Sequence, residues 1–445
     1  MTVPGAPAGA RRLRGAAAAT HRPSDTKAEG QAPVYARLGV RRVVNARGCA
    51  TLAGGTLMDP EVTTAMGEAA RSFVRIGDLE DAASRIIAAA TGAEAGYVTS
   101  GAAAGVTLAT AAVLAGMDPD RMELLPDTGH HPNEVLVQRV HRNPYDHMVR
   151  AAGARLVEFG GDGSATLARM TAEMKAAIGP RTVGAFYHAQ LESVGLPLAD
   201  FVATAHEHDL PVIVDASVCL PPRSNLRRFT ATGADLVAFS GGKSIRGPQA
   251  SGILAGRADL LLSVSLQHQD MDVQASTWAR RPLLEAGVIR RPPGHGIGRP
   301  MKAGKEEIVG LLVALERYLA RDEAADAARW GRMAEELAAG LARIDGLSAA
   351  VEPIQPDRRP VASTTVTVDA RTYGMSAVEL VRKLADLDPL VMVADGAAEF
   401  GRLRLDPENL QDGEVDLVVE AFRLCSRRVA GRRSGRHAQR PAAPI

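Results

Sequence analysis

The chain has 445 residues, enough to bury a large core and to form two or three domains. Its 52 basic and 51 acidic side chains nearly cancel, so no field over the whole surface favours nucleic acid or anionic lipid. No uninterrupted apolar run reaches the length of a transmembrane helix, which argues against a membrane protein. The cysteines Cys49, Cys219 and Cys425 are widely spaced without a disulfide or metal-ligand pattern, which favours reduced thiols in the cytoplasm.

The two ends of the chain differ in composition from the rest. Residues 1–33 are rich in Ala, Arg, Pro and Gly and lack the apolar segment of a secretory signal, so we expect a disordered N-terminal extension. An acid-poor start also suits an organelle transit peptide, an alternative that composition alone leaves open. Residues 427–445 carry six arginines, which predicts a disordered basic tail.

Between these ends we expect an N-terminal arm, a large domain and a small domain. The arm, residues 34–78, is loop-rich until Asp59-Pro60, where a proline in the first turn predicts the start of a helix. The large domain, residues 79–300, opens with a helical pattern over Leu79–Ala90. A short strand over Ala95–Thr99 then leads into the small residues 100–105 and an alanine-rich helix.

Short apolar runs then alternate with helical patterns, which predicts a mostly parallel α/β sheet covered by helices. The predicted strands are Glu134–Gln138, Arg155–Glu158, Thr182–Tyr187, Pro211–Val214, Asp235–Phe239 and Ser251–Ala255. The predicted helices between them are Tyr145–Ala152, Leu167–Ile178, Leu198–His208 and Asn225–Thr232. After a loop-like stretch, residues 301–426 predict a smaller α+β domain. Its long helices are predicted over Lys305–Tyr318 and Glu323–Arg343, its strands near Ala362–Val368, Leu390–Val393 and Gly401–Leu405, and its last helices over Ala377–Leu387 and Asp412–Leu424.

One lysine lies in an unusual setting. Lys243 follows an apolar strand and two glycines, and Asp215 ends another apolar strand upstream. Ligands bind at the carboxyl ends of the strands in such sheets, where Ser100 is also expected. A rigidly held amine is suited to condense with a carbonyl. A lysine that forms a Schiff base and an acid that keeps a pyridine nitrogen protonated are what pyridoxal phosphate (PLP) requires, so Lys243 and Asp215 are the predicted catalytic pair.

A phosphate group would be held where the strand at residues 95–99 turns into a helix. Backbone amides at a helix N-terminus attract anions, and small side chains let them approach. The predicted phosphate ligands are Ser100, Gly101, Ala102, Ala103 and, from the lysine loop, Ser240. Tight packing between the strand and the helix is the alternative explanation of the small residues.

Other candidates are weaker. His141 is predicted to stack on the cofactor ring, with Tyr145 in reserve, and Gln190 to hydrogen-bond the phenolic oxygen; each also suits a packing or loop role. His130-His131 lacks further ligands nearby, so we expect no metal site. Candidate arginines for a substrate carboxylate are chosen for their bidentate geometry; they are Arg47, Arg299, Arg402 and Arg404.

Together these motifs resemble the fold-type I PLP-dependent enzymes. The branch that they resemble contains bacterial selenocysteine synthase (L-seryl-tRNA seleniumtransferase) and D-glucosaminate-6-phosphate ammonia-lyase-like proteins. The motifs are residues 45–48 (NARG), 91–95 (TGAEA) with 102–104, and 239–249 (FSGGKSIRGPQ). The resemblance implies the fold-type I transferase fold, with a mostly parallel seven-stranded sheet, a smaller C-terminal α+β domain and an active site at a homodimer or larger symmetric interface.

The resemblance implies that Lys243 carries the cofactor and that Asp215 faces its ring nitrogen. We expect an α,β-elimination that releases ammonia from a β-hydroxy or phosphorylated sugar-like amino acid. Seleniumtransferase-like, aminotransferase or racemase activity on the same scaffold is the alternative. Glycine at position 242, where the synthase usually has aspartate, and the absence of a helical pattern before residue 34 argue against a tRNA partner.

Overall fold

The structure is a computed structural model that describes residues 32–268, 274–352, 354 and 359–434. The chain enters through the arm, which contains helix α1 (Pro33–Arg37), strand β1 (Val43–Ala46) and helix α2 (Pro60–Ala70). Helix α2 begins with a proline in its first turn, as expected. The expected N-terminal extension lies almost entirely outside the described residues.

A seven-stranded sheet forms the centre of the molecule. Its strands are β2 (Ala95–Thr99), β3 (Glu134–Gln138), β4 (Arg155–Phe159), β5 (Thr182–His188), β6 (Val212–Asp215), β7 (Leu236–Ser240) and β8 (Gly252–Gly256). They lie in the order β2-β8-β7-β6-β5-β3-β4. Strands β3, β4, β5, β6 and β7 run parallel to one another, whereas β8 is antiparallel to both β2 and β7. The predicted mostly parallel sheet is confirmed.

Helices cover both faces of this sheet. They are α3 (Ile76–Thr91), α4 (Ala102–Ala115), α5 (Pro119–Leu124), α6 (His147–Ala151), α7 (Leu167–Ala177), α8 (Leu198–His206), α9 (Asn225–Ala231), α10 (Ala258–Gln267), α11 (Arg281–Glu285) and α12 (Lys305–Ala320). The predicted helix from Tyr145 is shorter than expected, because a 3-10 turn over Pro144–Asp146, capped by the side chain of Asn143, precedes α6. Helices α5, α10 and α11 were not predicted.

The sheet separates two apolar cores. Strands β3, β6 and β8 are buried along their whole length, as expected for strands with both faces covered. Since side chains alternate along a strand, Tyr187 and Val214 pack in one core and Phe186 and Ile213 in the other. Asp215 therefore emerges on the same face as Ile213.

The C-terminal region builds a third core. Its elements are α13 (Glu323–Leu341), β9 (Leu347–Glu352), β10 (Ser363–Val368), α14 (Ala370–Tyr373), α15 (Ala377–Ala385), β11 (Leu390–Val393), β12 (Arg402–Leu405) and α16 (Glu414–Ser434). Strands β12, β10 and β9 form an antiparallel sheet in that order, and β11 pairs in parallel with β1 of the arm. The predicted smaller α+β unit is confirmed, and β1 contributes Val44 and Ala46 to its core.

Two expected boundaries fall inside elements or cores of the structure. Helix α12 lies beyond the expected boundary at residue 300, yet its buried residues Ile308, Leu311 and Leu315 pack in a core of the large domain. Helix α16 runs to Ser434, so the expected tail from residue 427 begins within a helix, and the part of that tail outside the described residues is 435–445. No helix in the described ranges is long and apolar enough to cross a membrane.

Candidate active site

The carboxyl ends of two strands meet at Gly252. Thr99 at the end of β2 and Ser240 at the end of β7 both lie opposite Gly252 in the antiparallel pairings of β8. A Cβ atom at Gly252 would lie 2.5 Å from the carbonyl carbon of Gly101, so only glycine allows this approach. The structure thus brings the predicted residues Ser100, Gly101 and Ser240 to one edge of the sheet.

The N-terminus of α4 opens at this edge. Gly101 precedes the helix with φ of 139°, in the region that favours glycine, and no side chain caps the helix there. The first backbone amides of a helix have no partner within it. Ala102 is buried and Ala103 is exposed, so the amides of this turn border the surface. Free donors and the helix dipole together make an anion site.

The lysine loop is fixed by contacts to its backbone. Thr56 of the arm donates a hydrogen bond of 2.9 Å to the Lys243 carbonyl, and the Arg246 amide donates one of 2.7 Å to the same oxygen. A Cβ atom at Gly242 would lie 2.6 Å from the Cα atom of Gln249. Close packing of the backbone therefore requires this glycine.

Lys243 itself is half-buried. Burial lowers the pKa of its amine, the nearby Asp215 opposes this effect in part, and the guanidinium of Arg359 lowers the pKa further. A larger fraction of the amine is therefore neutral at a given pH than for a lysine in water. A neutral amine is the form that attacks a carbonyl or takes a proton.

Asp215 ends β6 and is 7% exposed. Its Oδ1 accepts a hydrogen bond of 2.9 Å from the Ser217 amide, and its Oδ2 lies 3.5 Å from Nδ1 of His188. Burial alone would raise the pKa of Asp215, but His188 and Ser217 outweigh burial and hold the pKa below its usual value. The group is therefore a buried carboxylate near an amine whose pKa it raises.

The residues predicted to contact the cofactor ring lie in different settings. His141 is fully buried, its Nε2 lies 3.1 Å from the Val194 carbonyl, and its ring packs edge-on against Tyr187 at 4.6 Å. Burial lowers the pKa of His141 to about 4. Tyr187 packs on one face of the sheet, whereas Phe186 and Asp215 lie on the other. The contact between His141 and Tyr187 is therefore on the face opposite Asp215. Tyr145 and Gln190 are exposed.

The four arginines proposed for a substrate carboxylate lie in different surroundings. Arg47 pairs with Asp395 at 2.8 Å, and Arg404 lies 3.4 Å from Asp406. Arg402 is exposed on β12, and Arg299 acts electrostatically on His268. His130 and His131, the pair predicted not to bind metal, are exposed and offer backbone carbonyls to Arg181.

Arg359 was missed by the sequence analysis. Its Nη2 donates to Oγ of Ser244 at 2.8 Å and to Oε2 of Glu408 at 2.7 Å, and its buried Nε has no hydrogen-bond partner within the described part of the chain. The residue precedes β10 in a stretch without a motif. Contacts with Ser244 and with Glu408, which lies 49 residues away, bring it beside the lysine loop.

Arg359 belongs to a cluster that joins three parts of the chain. Glu408 also accepts hydrogen bonds from Ser244 at 2.7 Å and from the Cys49 thiol at 3.1 Å. Burial raises the pKa of Cys49, and Glu408 raises it further, so the thiol is neutral. Burial would raise the pKa of Glu408, but Arg359 holds it below its usual value. The arm, the lysine loop and the C-terminal region thus meet at one buried carboxylate.

Comparison with known proteins defines the class. Residues 69–379 match the family Aminotransferase class-V, and the chain belongs to this family. It is 35% identical over 410 residues to the 5'-C-glycyluridine monooxygenase-decarboxylase of a Streptomyces species, covering 89% of this chain and 93% of that protein. It is 32% identical over 397 residues to the D-glucosaminate-6-phosphate ammonia lyase of Salmonella typhimurium, covering 88% of this chain and 97% of that protein.

Two further comparisons narrow the branch. A solved structure of D-glucosaminate-6-phosphate ammonia-lyase matches with a TM-score of 0.73 and 31% identity, covering 89% of this chain and 99% of that chain. The L-seryl-tRNA(Sec) selenium transferase of Desulfomicrobium baculatum is 26% identical, covering 86% of this chain and 82% of that protein. The resemblance inferred from the sequence and the fold-type I fold that it implied are confirmed.

Proposed function

We propose that the protein is a PLP-dependent lyase that releases ammonia from an amino acid by α,β-elimination. The observation that carries this proposal is the half-buried Lys243 beside the buried carboxylate of Asp215, at the carboxyl ends of β6 and β7. The ammonia lyase among the relatives supports this reaction, because it is 32% identical and the match covers 97% of that protein. A β-hydroxy or phosphorylated sugar-like amino acid is the substrate class.

The residues present fit the cofactor. The cradle between Gly101 and Gly252, the free amides at the start of α4 and the Ser240 hydroxyl suit a phosphate. We assign the phosphate to Ser100, Gly101, Ala102, Ala103 and Ser240. Lys243 would tether the cofactor and Asp215 would hold its ring nitrogen protonated. His141 and Gln190 remain the candidates for the ring face and the phenolic oxygen.

When bound, pyridoxal phosphate supplies an electron sink that makes the Cα proton of an amino acid acidic. Lys243 takes this proton. Its lowered pKa leaves a larger fraction of the amine neutral than for a lysine in water. Asp215 stays anionic and stabilises positive charge at the sheet edge. The β-hydroxyl leaves as water and one water is taken up, so the net products are a keto acid and ammonia.

Arg359 is our candidate for the substrate carboxylate, in place of the arginines named from sequence. Its buried Nε has no partner among the residues described, and its charge reaches Lys243 strongly enough to lower the pKa of that amine. Glu408 and Ser244 hold the guanidinium in place through Nη2. A guanidinium fixed in this way can donate a charge-assisted hydrogen bond from Nε to a carboxylate.

The test is reconstitution with pyridoxal phosphate, followed by assays of ammonia and keto acid on a panel of β-hydroxy and sugar-like amino acids. The Lys243→Ala variant should lose the visible absorbance of the bound cofactor and about 10²–10⁴-fold of the activity. The exposed pair of Lys175 with Glu207 supplies a matched control, Lys175→Ala, which should keep both. Visible absorbance that survives in Lys243→Ala would overturn the assignment.

A second candidate function is an oxygen-consuming decarboxylation. The relative at 35% identity, which carries the name monooxygenase-decarboxylase, favours it. Oxygen uptake and carbon dioxide release, measured on the same substrate panel, separate it from elimination, which consumes no oxygen and keeps the carboxylate. The other activities can be assayed on the same preparation. A seleniumtransferase requires a selenium donor and an aminotransferase requires an amino acceptor, whereas a racemase requires neither.

The assembly that we propose is a homodimer or larger symmetric oligomer. Large apolar side chains of the arm and of the turn after α2 are exposed: Leu52 by 76%, Leu57 by 65% and Phe73 fully. A second copy would bury them, as exposed apolar patches commonly mark interfaces. Light scattering on the purified protein should report a dimer, and Phe73→Ser should weaken it. The three free cysteines suit the cytoplasm, and the balanced charge suits a protein without nucleic acid.

A further inference from the structure

His188 lies between two buried carboxylates. It ends β5 and pairs in register with Asp215 on β6, so both side chains emerge on one face of the sheet. Its Nδ1 lies 3.5 Å from Oδ2 of Asp215, and its Nε2 lies 3.6 Å from Oδ1 of Asp146. All three side chains are less than 10% exposed. An imidazole between two buried acids can contact both of them at once, one through each ring nitrogen.

The contact with Asp146 is an unused hydrogen bond. Nε2 of His188 and Oδ1 of Asp146 are both buried and neither has a hydrogen-bond partner among the described residues. They face each other only about 0.6–0.8 Å beyond the usual distance of such a bond. Buried polar groups are nearly always paired, so a small shift of either side chain is expected to form the bond.

The arrangement continues to the surface with alternating charge. The other oxygen of Asp146 accepts a hydrogen bond from Nε of Arg142, whose Nη1 donates to Glu158. Arg139 also pairs with Glu158 at 3.1 Å, and both of these residues are substantially exposed. Asp146 is therefore held in place from the side opposite His188, and cannot swing away from the imidazole without losing an ion pair.

We propose that Asp146 and His188 are positioning residues: Asp146 fixes the imidazole of His188, and this imidazole in turn holds the carboxylate of Asp215 in its orientation toward the cofactor ring nitrogen. The inference rests on the proposed function, because it assigns Asp215 to that nitrogen. It adds two residues that touch neither substrate nor cofactor. The Asp146–His188–Asp215 series links the ring site to the Arg142–Glu158 pair at the surface.

Other groups also surround His188 and Asp215. The ring of Phe186 meets His188 edge-on at 4.7 Å and shields it from water. Burial lowers the pKa of His141, which follows β3, to about 4, and the nearby His188 lowers it further. Asp215 raises the pKa of Lys243 and of Cys219, so both side chains lie near the same carboxylate. Asp146 and Asp215 thus face one imidazole from opposite sides.

The test compares Asp146→Asn and His188→Asn holoenzymes with wild type by titrating the visible absorbance of the bound cofactor against pH. Contact with His188 lowers the pKa of Asp215, so His188→Asn should favour protonation at the site and move the midpoint upward by on the order of one pH unit. Asp146→Asn should move it the same way by less, because Asp146 lies farther from Asp215. In the double variant the shift should equal that of His188→Asn alone, since Asp146 acts only through the imidazole.

A matched control lies at the opposite edge of the sheet, between the end of α8 and the residue before β7. His206 contacts the buried Asp235 at 2.8 Å, another histidine and carboxylate pair. His206→Asn should leave the midpoint unchanged. Unmoved midpoints in both site variants, or an equal shift in the control, would overturn the inference. A wild-type protein that takes up no cofactor would instead refute the proposed function and leave the imidazole to the next measurement.

A second measurement needs no variant and no cofactor. Nitrogen NMR of labelled histidines in the wild-type protein reports whether each ring nitrogen takes part in a hydrogen bond. Nδ1 of His188 should be bonded to Asp215 and Nε2 to Asp146. A His188 ring without a hydrogen bond at either nitrogen would overturn the inference even if neither variant folds.

Discussion

Two carboxyl groups at the central sheet are buried to nearly the same extent and behave in opposite ways. Glu80 of α3, beside the edge strand β2, is 5% exposed, and Asp215 at the centre is 7% exposed. Burial raises the pKa of Glu80 to about 8, although Arg280 opposes the shift in part. The pKa of Asp215 lies below its usual value because His188 and Ser217 outweigh burial.

The difference shows that the partner, rather than the depth, decides what a buried acid can do. Glu80 accepts a hydrogen bond of 3.2 Å from the Val98 amide, and Ser84 accepts one of 3.1 Å from the Gly96 amide. These two side chains close the outer edge of β2, which would otherwise expose unpaired donors. Glu80 is thus a structural acid, neutral at physiological pH, whereas Asp215 is held ready as an anion.

The largest expected effect separates the two acids by activity. Asp215→Asn removes the negative charge that the ring nitrogen requires and should lower kcat by about 10²–10³-fold, with weaker cofactor binding. Glu80→Gln keeps the hydrogen bond to Val98 and should leave kcat within about twofold. Steady-state ammonia release and cofactor titration measure both. A similar loss of activity in the two variants would break the distinction.

The next effect separates them by the pH dependence of stability. The folded-state pKa of Glu80 is about 8 and its unfolded value about 4.3, so its contribution is fully present below the unfolded pKa and is lost as pH rises through the folded one. The loss amounts to about 3–5 kcal/mol. Urea unfolding across this range should show a steeper decline for wild type than for Glu80→Gln.

The exposed Glu68 on α2 provides the control for this experiment. Glu68→Gln should follow the wild-type curve. If Glu80→Gln declined as steeply as wild type, the carboxyl would already be ionised in the folded protein, and the contrast with Asp215 would disappear.

A third buried acid, Glu408, extends the comparison of buried carboxyl groups, and the effect expected on stability is smaller. Glu408 has a strong cation, Arg359, and the side chains of this pair are 2% and 26% exposed. Arg359→Met leaves the buried carboxylate of Glu408 without a cation and should lower the free energy of unfolding by about 3 kcal/mol. The more exposed pair of Arg47 and Asp395 supplies the control, since Arg47→Met should cost less than about 1 kcal/mol.

Rescue tests the cause of this loss. Adding Glu408→Gln to Arg359→Met removes the uncompensated charge and should recover part of the stability. Equal costs for Arg359→Met and Arg47→Met in denaturant titrations would show that the burial of Glu408 does not matter.

The sheet could be predicted from the sequence because its signal is local. Short apolar runs separated by helical patterns specify parallel strands, and the carboxyl ends of β6 and β7 then place Asp215 and Lys243 at one edge. His188 escaped notice because it directly follows Phe186 and Tyr187 and resembles the end of a core strand. Its importance depends on its register with Asp215, which requires the strand order.

Contacts between distant parts of the chain could not be predicted. The hydrogen bond of Ser244 to Glu408 spans 164 residues, and the pairing of Val43 with Leu390 joins the arm to the last third of the chain. No periodic pattern encodes such partners. The contact of His141 with Tyr187 also depends on the strand order, and the 3-10 turn after β3 positions the ring for it.

The pairing of β1 with β11 has a consequence for how the protein is made. The arm leaves the ribosome first, yet its partner strand and Glu408, which anchors the lysine loop, are synthesised near the end. Contacts so far apart along a chain form slowly. During translation the first segment must therefore wait with apolar side chains such as Val44 unburied, which makes it a natural client for chaperones until synthesis is complete.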